Sequence, residues 1–300
     1  MRGNKKGFVT LVLQENPDII TTHCMIHREA LAAKSLPEDL QSVLNQAIKV
    51  VNFIKSRPLN SRIFAQLCDT MDSDFKSLLY HTEVRWLSKG KVLKRLVDLK
   101  VEVISFLEVE ETDFGFDLRD EIWWLKVQFL SDLFDKLNFL NLSLQGPSEN
   151  IISSTSKLKS FNEKLTLWKS KVSKGIFECF PSINESQAKS IVADNIMSTL
   201  TSLQSAIHHY FPSLSIDEYT INPFGSYETS NLSCEEEEEL IELRNDKFHR
   251  LGFAKKSLDE FWLSLKQLFP ALSLKAVKII LPFASSWFCE FGFSALTEIK

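Results

Sequence analysis

Apolar residues recur along this 300-residue chain mostly at the three-and-four spacing of a single helix face. Phe8, Leu11 and Val12, followed by Asn16-Pro17, predict a short helix over 7–15. After Pro37, with Glu38 and Asp39 favouring a helix start, Leu40, Leu44, Ala47, Val51 and Ile54 form one stripe that ends before Pro58. Val92, Leu96, Leu99, Val103 and Phe106 repeat the spacing, with Lys91, Lys94, Arg95, Asp98 and Glu102 on the opposite face. The stretch 116–144 is apolar nearly all round and stops at Gly146-Pro147, the pattern of a helix in the centre of a bundle. Further helical patterns cover 155–178, 185–210, 257–269 and 274–300, with Pro270 separating the last two. The residues over 212–233 read as a loop or domain joint, and Glu235 to Glu239 as an acidic helix start on a solvated face. The β-branched run Ile19 to Ile26, bounded by Pro17-Asp18, is the single convincing strand. No internal repeat is present.

Composition agrees with a mainly helical protein. Hydrophobic residues make up 44% and charged residues 25%, which excludes disordered, collagenous and fibrous classes. Nine Gly, nine Pro and 23 Phe combine sparse punctuation with many large apolar residues, which favours long helices over a many-turned β sandwich. The length suggests two domains at ~150 residues each. No signal-peptide core or membrane span is expected, because every long apolar stretch is interrupted by charge. The five cysteines, odd in number and scattered, read as reduced thiols.

The net charge of −4 argues against strong unaided nucleic-acid binding, but its distribution is uneven. Residues 1–100 carry 16 Lys/Arg against 10 Asp/Glu, and residues 101–300 carry 19 against 29. The basic third is either a set of solvated helix faces or a phosphate-facing surface.

Two short motifs could carry chemistry. Cys24-x-x-His27 looks like half of a metal site, but no second pair of ligands accompanies it, so a structural Cys and a polar His are favoured over zinc. Arg85-Trp86 precedes the basic-faced helix. The arginine could hold a phosphate while the indole stacks a base, or the tryptophan could anchor a helix start in the core. No GxSxG, P-loop or GxGxxG is present.

Four separated segments together resemble the hAT superfamily of DNA transposases, and most of all its domesticated vertebrate relatives associated with BED or SCAN modules. They are His23-Cys24-Met25-Ile26-His27, then Glu83-Val84-Arg85-Trp86, then Asn222-Pro223-Phe224, and last the region from Phe261-Trp262 through Pro282-Phe283-Ala284 to Cys289-Glu290-Phe291-Gly292. The resemblance implies an RNase H-like α/β core interrupted by a long helical insertion. Residues 1–36 would be a remnant of that core, with one strand and short helices. Residues 37–233 would be the all-helical insertion, and 234–300 part of the C-terminal dimerisation region. It also implies a catalytic set of two Asp and one Glu holding divalent metal, since hard cations prefer oxygen ligands and two metals stabilise both attacking and leaving oxygens. Glu290 matches the Glu, Arg85-Trp86 the DNA-contacting pair, and Cys24 and His27 the CxxH pair near the active centre.

The departures from the family pattern set the functional expectation. Both Asp positions precede the segment that corresponds to Gly3–Gly7, so both would fall before Met1, and Asp18 lies downstream of either. Phe291 stands where transposases often carry an Arg after the Glu. The expectation is a catalytically inactive, domesticated transposase derivative in the nucleus (otherwise the cytoplasm), without cofactor, bound metal, membrane or small-molecule substrate. It would bind DNA weakly or bind protein partners, and it would self-associate through apolar residues such as Trp287, Phe288 and Phe293. The alternative is a generic helical scaffold that does not bind nucleic acid.

Overall fold

The structure is a computed structural model that describes residues 7–17, 24–32, 34–80, 88–110, 112–146, 149–184, 186–211, 217–226, 232–282, 284–287, 289, 292 and 296. In chain order the helices are α1 (Phe8–Glu15), α2 (Met25–Ala32), α3 (Glu38–Ser56), α4 (Pro58–Thr70), α5 (Ser88–Asp98), α6 (Lys100–Val109), α7 (Glu121–Ser143), α8 (Ile151–Val172) and α9 (Pro181–Asn184). A 3₁₀ turn, Lys189–Val192, leads into α10 (Ala193–Tyr210), followed by α11 (Glu218–Ile221), α12 (Cys234–Asn245), α13 (Lys247–Phe253), α14 (Leu258–Ser264) and α15 (Pro270–Ile280). The described residues contain no strand, so the protein is mainly helical.

Backbone contacts divide the chain into two compact units, Arg28–Ser143 with Lys159–Phe211, and Met1–His27 with Leu144–Leu158 and Pro212–Lys300. The first unit is built around α7, which packs against α3, α5 and α9. Both stripes read from the sequence are buried: Leu40, Leu44, Ala47, Val51 and Ile54 on α3, and Val92, Leu96, Leu99, Val103 and Phe106 along α5 and α6. The second stripe is carried by two helices and not one. The chain turns at Leu99 (φ −107°, ψ 30°), yet Leu99 stays buried, so the apolar spacing survives the break. Helix α4 packs against α3 and α6 and buries Asn60, Phe64 and Cys68. Most of α7 is buried, as its pattern requires, but a narrow stripe at its C-terminal end leaves Phe139 and Leu142 exposed. Helix α8 begins among residues of the second unit, just after Asn150, whose Oδ1 accepts the N–H groups of Ile152 and Ser153 at 2.9 Å each, and its part from Lys159 on belongs to the first. It is followed by Gly175 at φ 72°, a left-handed conformation that suits a glycine after a helix end.

The expected strand over Ile19–Ile26 needs correction at its end. Met25 and Ile26 open α2, while residues 18–23 lie outside the described residues. The β-branched run is over by Thr22, and Met25-Ile26-His27-Arg28-Glu29-Ala30-Leu31-Ala32 is rich in helix-forming residues, so local propensity reverts to helix there.

In the second unit Tyr219, Leu240, Leu243, Phe261, Trp262, Leu265, Phe269, Leu272 and Ala276 form one core. The acidic start of α12 does more than face solvent. Ser233 Oγ accepts from Glu236 N–H while the Glu236 carboxylate accepts from Ser233 N–H at 2.8 Å, a reciprocal capping box. Glu236 also meets Lys275 at 3.0 Å. Burial, the largest influence, pushes the Glu236 carboxyl up, but hydrogen bonds from Ser233 and Lys275 together prevail and hold it below its ordinary value. Glu239 reaches the N-terminus of α15, where it accepts the N–H groups of Ala271 (3.2 Å) and Leu272 (2.7 Å). Phe269, at the position before Pro270, offers no side-chain cap, so a carboxylate from another helix does that work. Glu239→Ala should therefore destabilise this unit by about 1–2 kcal/mol, the scale of a lost N-cap. Urea titration with a probe on α15 would register it, and an unchanged midpoint would refute the assignment.

Candidate functional site

Two places in the structure collect the residues singled out by sequence. The first lies in the second unit, where Cys24 immediately precedes α2. Met25 N–H donates to the carbonyl of Ala284 at 2.8 Å. Ser286 N–H donates to Cys24 Sγ at 3.3 Å, and Ser286 Oγ lies 3.4 Å from the same sulfur. The first and last of the four motif segments, 262 positions apart, thus meet at a half-buried thiol. His27 is exposed one helical turn further on. Among the described residues no group of three or more His, Cys, Asp or Glu side chains could hold a metal ion. Glu290 and Phe291 lie outside the described residues, as do Phe288 and Phe293, while Trp287 is half-buried.

The other late motifs form core. Asn222 Oδ1 accepts from Phe224 N–H at 3.1 Å, and Arg244 Nε donates to Pro223 O at 3.2 Å. The Phe224 ring then meets those of Phe253 (5.6 Å) and Phe261 (6.1 Å) edge-on, with the Arg250 guanidinium 5.3 Å from its centre. Trp262 is fully buried, its indole N–H donating to Thr220 O at 2.9 Å. In this unit, Asn222-Pro223-Phe224 and Phe261-Trp262 are pieces of one aromatic cluster.

The second place is the face of α5 in the first unit. Gly90 lets α5 approach α7 closely, because a Cβ there would stand 2.8 Å from Asn138 Nδ2 and 3.2–3.3 Å from the backbone of Phe134 and Asp135. Beside this crossing opens a cleft of about 770 Å³, lined by Phe75, Leu79, Lys91, Lys94, Arg95, Asp98, Asp132 and Asp135 among others. Its cations are largely occupied. Lys94 pairs with Asp98 at 3.2 Å. The Arg95 guanidinium lies 3.6 Å from the centre of the Phe75 ring and donates to Ser77 O at 2.9 Å. Next to the cleft, Lys100 meets Glu121 at 2.8 Å, and Lys89 lies 5.8 Å from the Phe134 ring. Asp132 accepts both Ser182 N–H (2.9 Å) and Ser182 Oγ–H (2.7 Å) at the start of α9. Burial raises its carboxyl above the ordinary range, and the Ser182 bonds only partly oppose this. Three cations and three carboxylates therefore line one cleft. A groove built for the phosphate backbone would instead present uncompensated positive charge.

Glu102 departs from the sequence reading. It was expected on the solvated face with Lys91 and Lys94, but it is buried and accepts the Ser73 hydroxyl. Ser73 comes from the segment after α4, a partner that spacing along α6 could not reveal. Arg85 and Trp86 lie outside the described residues.

A helical unit centred on α7, with no strand among its described residues, is the class of structure this chain presents. Residues 23–173 match the FAM200/GTF2IRD2 helical domain, and the chain belongs to the FAM200/GTF2IRD2-like family. A curated relative is the general transcription factor II-I repeat domain-containing protein 2 of Bos taurus, 28% identical over 286 residues. The alignment covers 94% of this chain and 30% of the relative, so the chain spans under a third of that protein's length. No solved structure matches it.

Proposed function

We propose that this chain is part of a transposase-derived nuclear protein of hAT ancestry and acts by contact with other macromolecules, and that these 300 residues by themselves cut no strand. The observation that carries the reading is the meeting of Cys24 with Ser286. It sets the CxxH segment against the residues leading to Glu290, which is where a shared transposase ancestry would put them. A nuclear location draws on the transcription-factor name of the bovine relative. Within these residues the resemblance supplies one carboxylate of the catalytic set, and one carboxylate is not enough to hold two metals. The division into a core remnant (1–36), a helical insertion (37–233) and a partial dimerisation region (234–300) belongs to the same proposal, as does self-association.

The charge-balanced cleft on α5 favours a second reading, a helical scaffold whose partners are proteins and not DNA. Under the first reading, DNA contact rests on Arg85 and Trp86 and not on the α5 face. Purified chain titrated with hairpin DNA at low salt should then bind weakly. Arg85→Ala should lower the salt slope by about 1, and Lys94→Ala should leave binding unchanged. No nicking should appear with Mg²⁺ or Mn²⁺, and a fluorescent fusion should concentrate in the nucleus. Nicking abolished by Glu290→Gln would overturn the non-catalytic reading. Equal DNA binding by wild type and Arg85→Ala would leave the scaffold.

A further inference from the structure

Helix α8 is the most basic of the helices. Residues 151–175 carry six Lys against the single Glu163, although they lie in the net-acidic part of the chain. Its buried face is Phe161, Leu165, Trp168 and Val172. A separate face carries Lys164, Leu167 and Lys171 at i, i+3 and i+7, spanning roughly 10 Å, and Lys174 continues it past the helix end. Lys164 Nζ lies 5.8 Å from the centre of the Phe139 ring, which joins this face to the exposed end of α7. Phe139 is 70% exposed, Leu142 one turn later is 64% exposed, and Leu167 is 51% exposed. All of these residues belong to the first unit.

We propose that this face docks an acidic amphipathic helix of a partner protein, an inference that rests on the reading of the chain as a contact protein and names its partner class. The three exposed apolar side chains, Phe139, Leu142 and Leu167, require an apolar counterpart, which a helix supplies at i, i+3 and i+4. The lysine row beside them selects carboxylates on the flank of that helix. Lys171 already holds Glu178 at 3.7 Å, a loose contact that leaves it able to serve a second carboxylate. On the two helices the acidic residues nearest this face in sequence are Asp135 and Glu163, and both are exposed. Duplex DNA fits less well, because Leu142 and Leu167 would face phosphates and water and gain nothing from stacking.

The test uses the full chain and a designed helical peptide of about 18 residues with a leucine stripe flanked by Glu, labelled for anisotropy. A Lys-flanked version of the peptide and a duplex DNA of similar length serve as competitors. The acidic peptide should bind at least about tenfold more tightly than the basic one. Phe139→Ser with Leu142→Ser should weaken it by about tenfold or more, and both side chains are exposed enough for the fold to persist. Lys164→Glu with Lys171→Glu should weaken the acidic peptide and strengthen the basic one, a gain that misfolding cannot produce. Equal affinity for both peptides, no effect of either double variant, or displacement of the peptide by DNA would overturn the proposal. Nuclear concentration and absence of nicking are scored on the wild type separately, so failure here leaves the wider functional reading standing.

Discussion

Trp262→Ala is expected to destabilise the C-terminal unit by about 3–5 kcal/mol, the range for deleting a fully buried tryptophan. The side chain is 0% exposed and touches Tyr219 and Phe261 edge-on at 6.3 and 5.6 Å. Removing it leaves a large void and also strips Thr220 O of the indole N–H that donates to it at 2.9 Å. The backbone of the same residue accepts the Ser273 hydroxyl at 2.6 Å, so α11, α14 and α15 all meet here. Trp262→Phe separates the two contributions. It refills most of the space and forfeits the hydrogen bond, so its loss should be the smaller, with about 1–3 kcal/mol traced to the orphaned carbonyl. Chemical denaturation followed by near-ultraviolet dichroism would measure both. A loss below about 1 kcal/mol for Trp262→Ala would mean the cluster is not a cooperative core.

Gly90→Val should destabilise the first unit by about 1–3 kcal/mol, the cost of overpacking a tight crossing. Propensity alone forecasts the opposite, since replacing a helical glycine with alanine gains up to about 1 kcal/mol, although Gly90 lies in the first turn of α5. The reversal comes from space. The nearest atom to an added Cβ is the movable Asn138 amide at 2.8 Å, but behind it stand backbone atoms of α7 at 3.2 and 3.3 Å. Gly90→Ala is therefore expected to be neutral or mildly destabilising, with Asn138 yielding, while valine's second branch must push α7 itself. Melting temperatures of the two variants, with Gly252→Ala as an uncrowded control, would decide it. A stabilised Gly90→Val would show that α5 and α7 do not cross so closely.

Much of the helical layout was legible because it is written in local periodicity. The α3 stripe and the α5–α6 stripe are buried residue for residue, since one apolar face per helix is what a bundle core requires. Helix α4 was not legible. Its buried residues are Asn60, Phe64 and Cys68, while Leu59 and Ile63 are exposed, so its most apolar spacing points away from its buried face. Met25 and Ile26 were read as the end of a strand because β-branched neighbours precede them, yet the helix formers that follow prevailed.

The candidate site divides in the same way. The sequence by itself determined that α5 carries a basic face, that Cys24 and His27 share a short motif, and that Phe261-Trp262 is a landmark. Only the tertiary structure decided what those features face. Phe75 and Asp98 engage Arg95 and Lys94 of α5, and Glu121 engages its neighbour Lys100. Ser286 closes on Cys24, Ser73 takes Glu102 inside, and Glu239 caps α15. It was also the structure that set Phe139 beside Lys164 and left both facing solvent. Periodicity is fixed by residues within a turn or two of one another, whereas the partner of a charge or a cap, and the cover over an apolar side chain, come from wherever the fold brings the chain back.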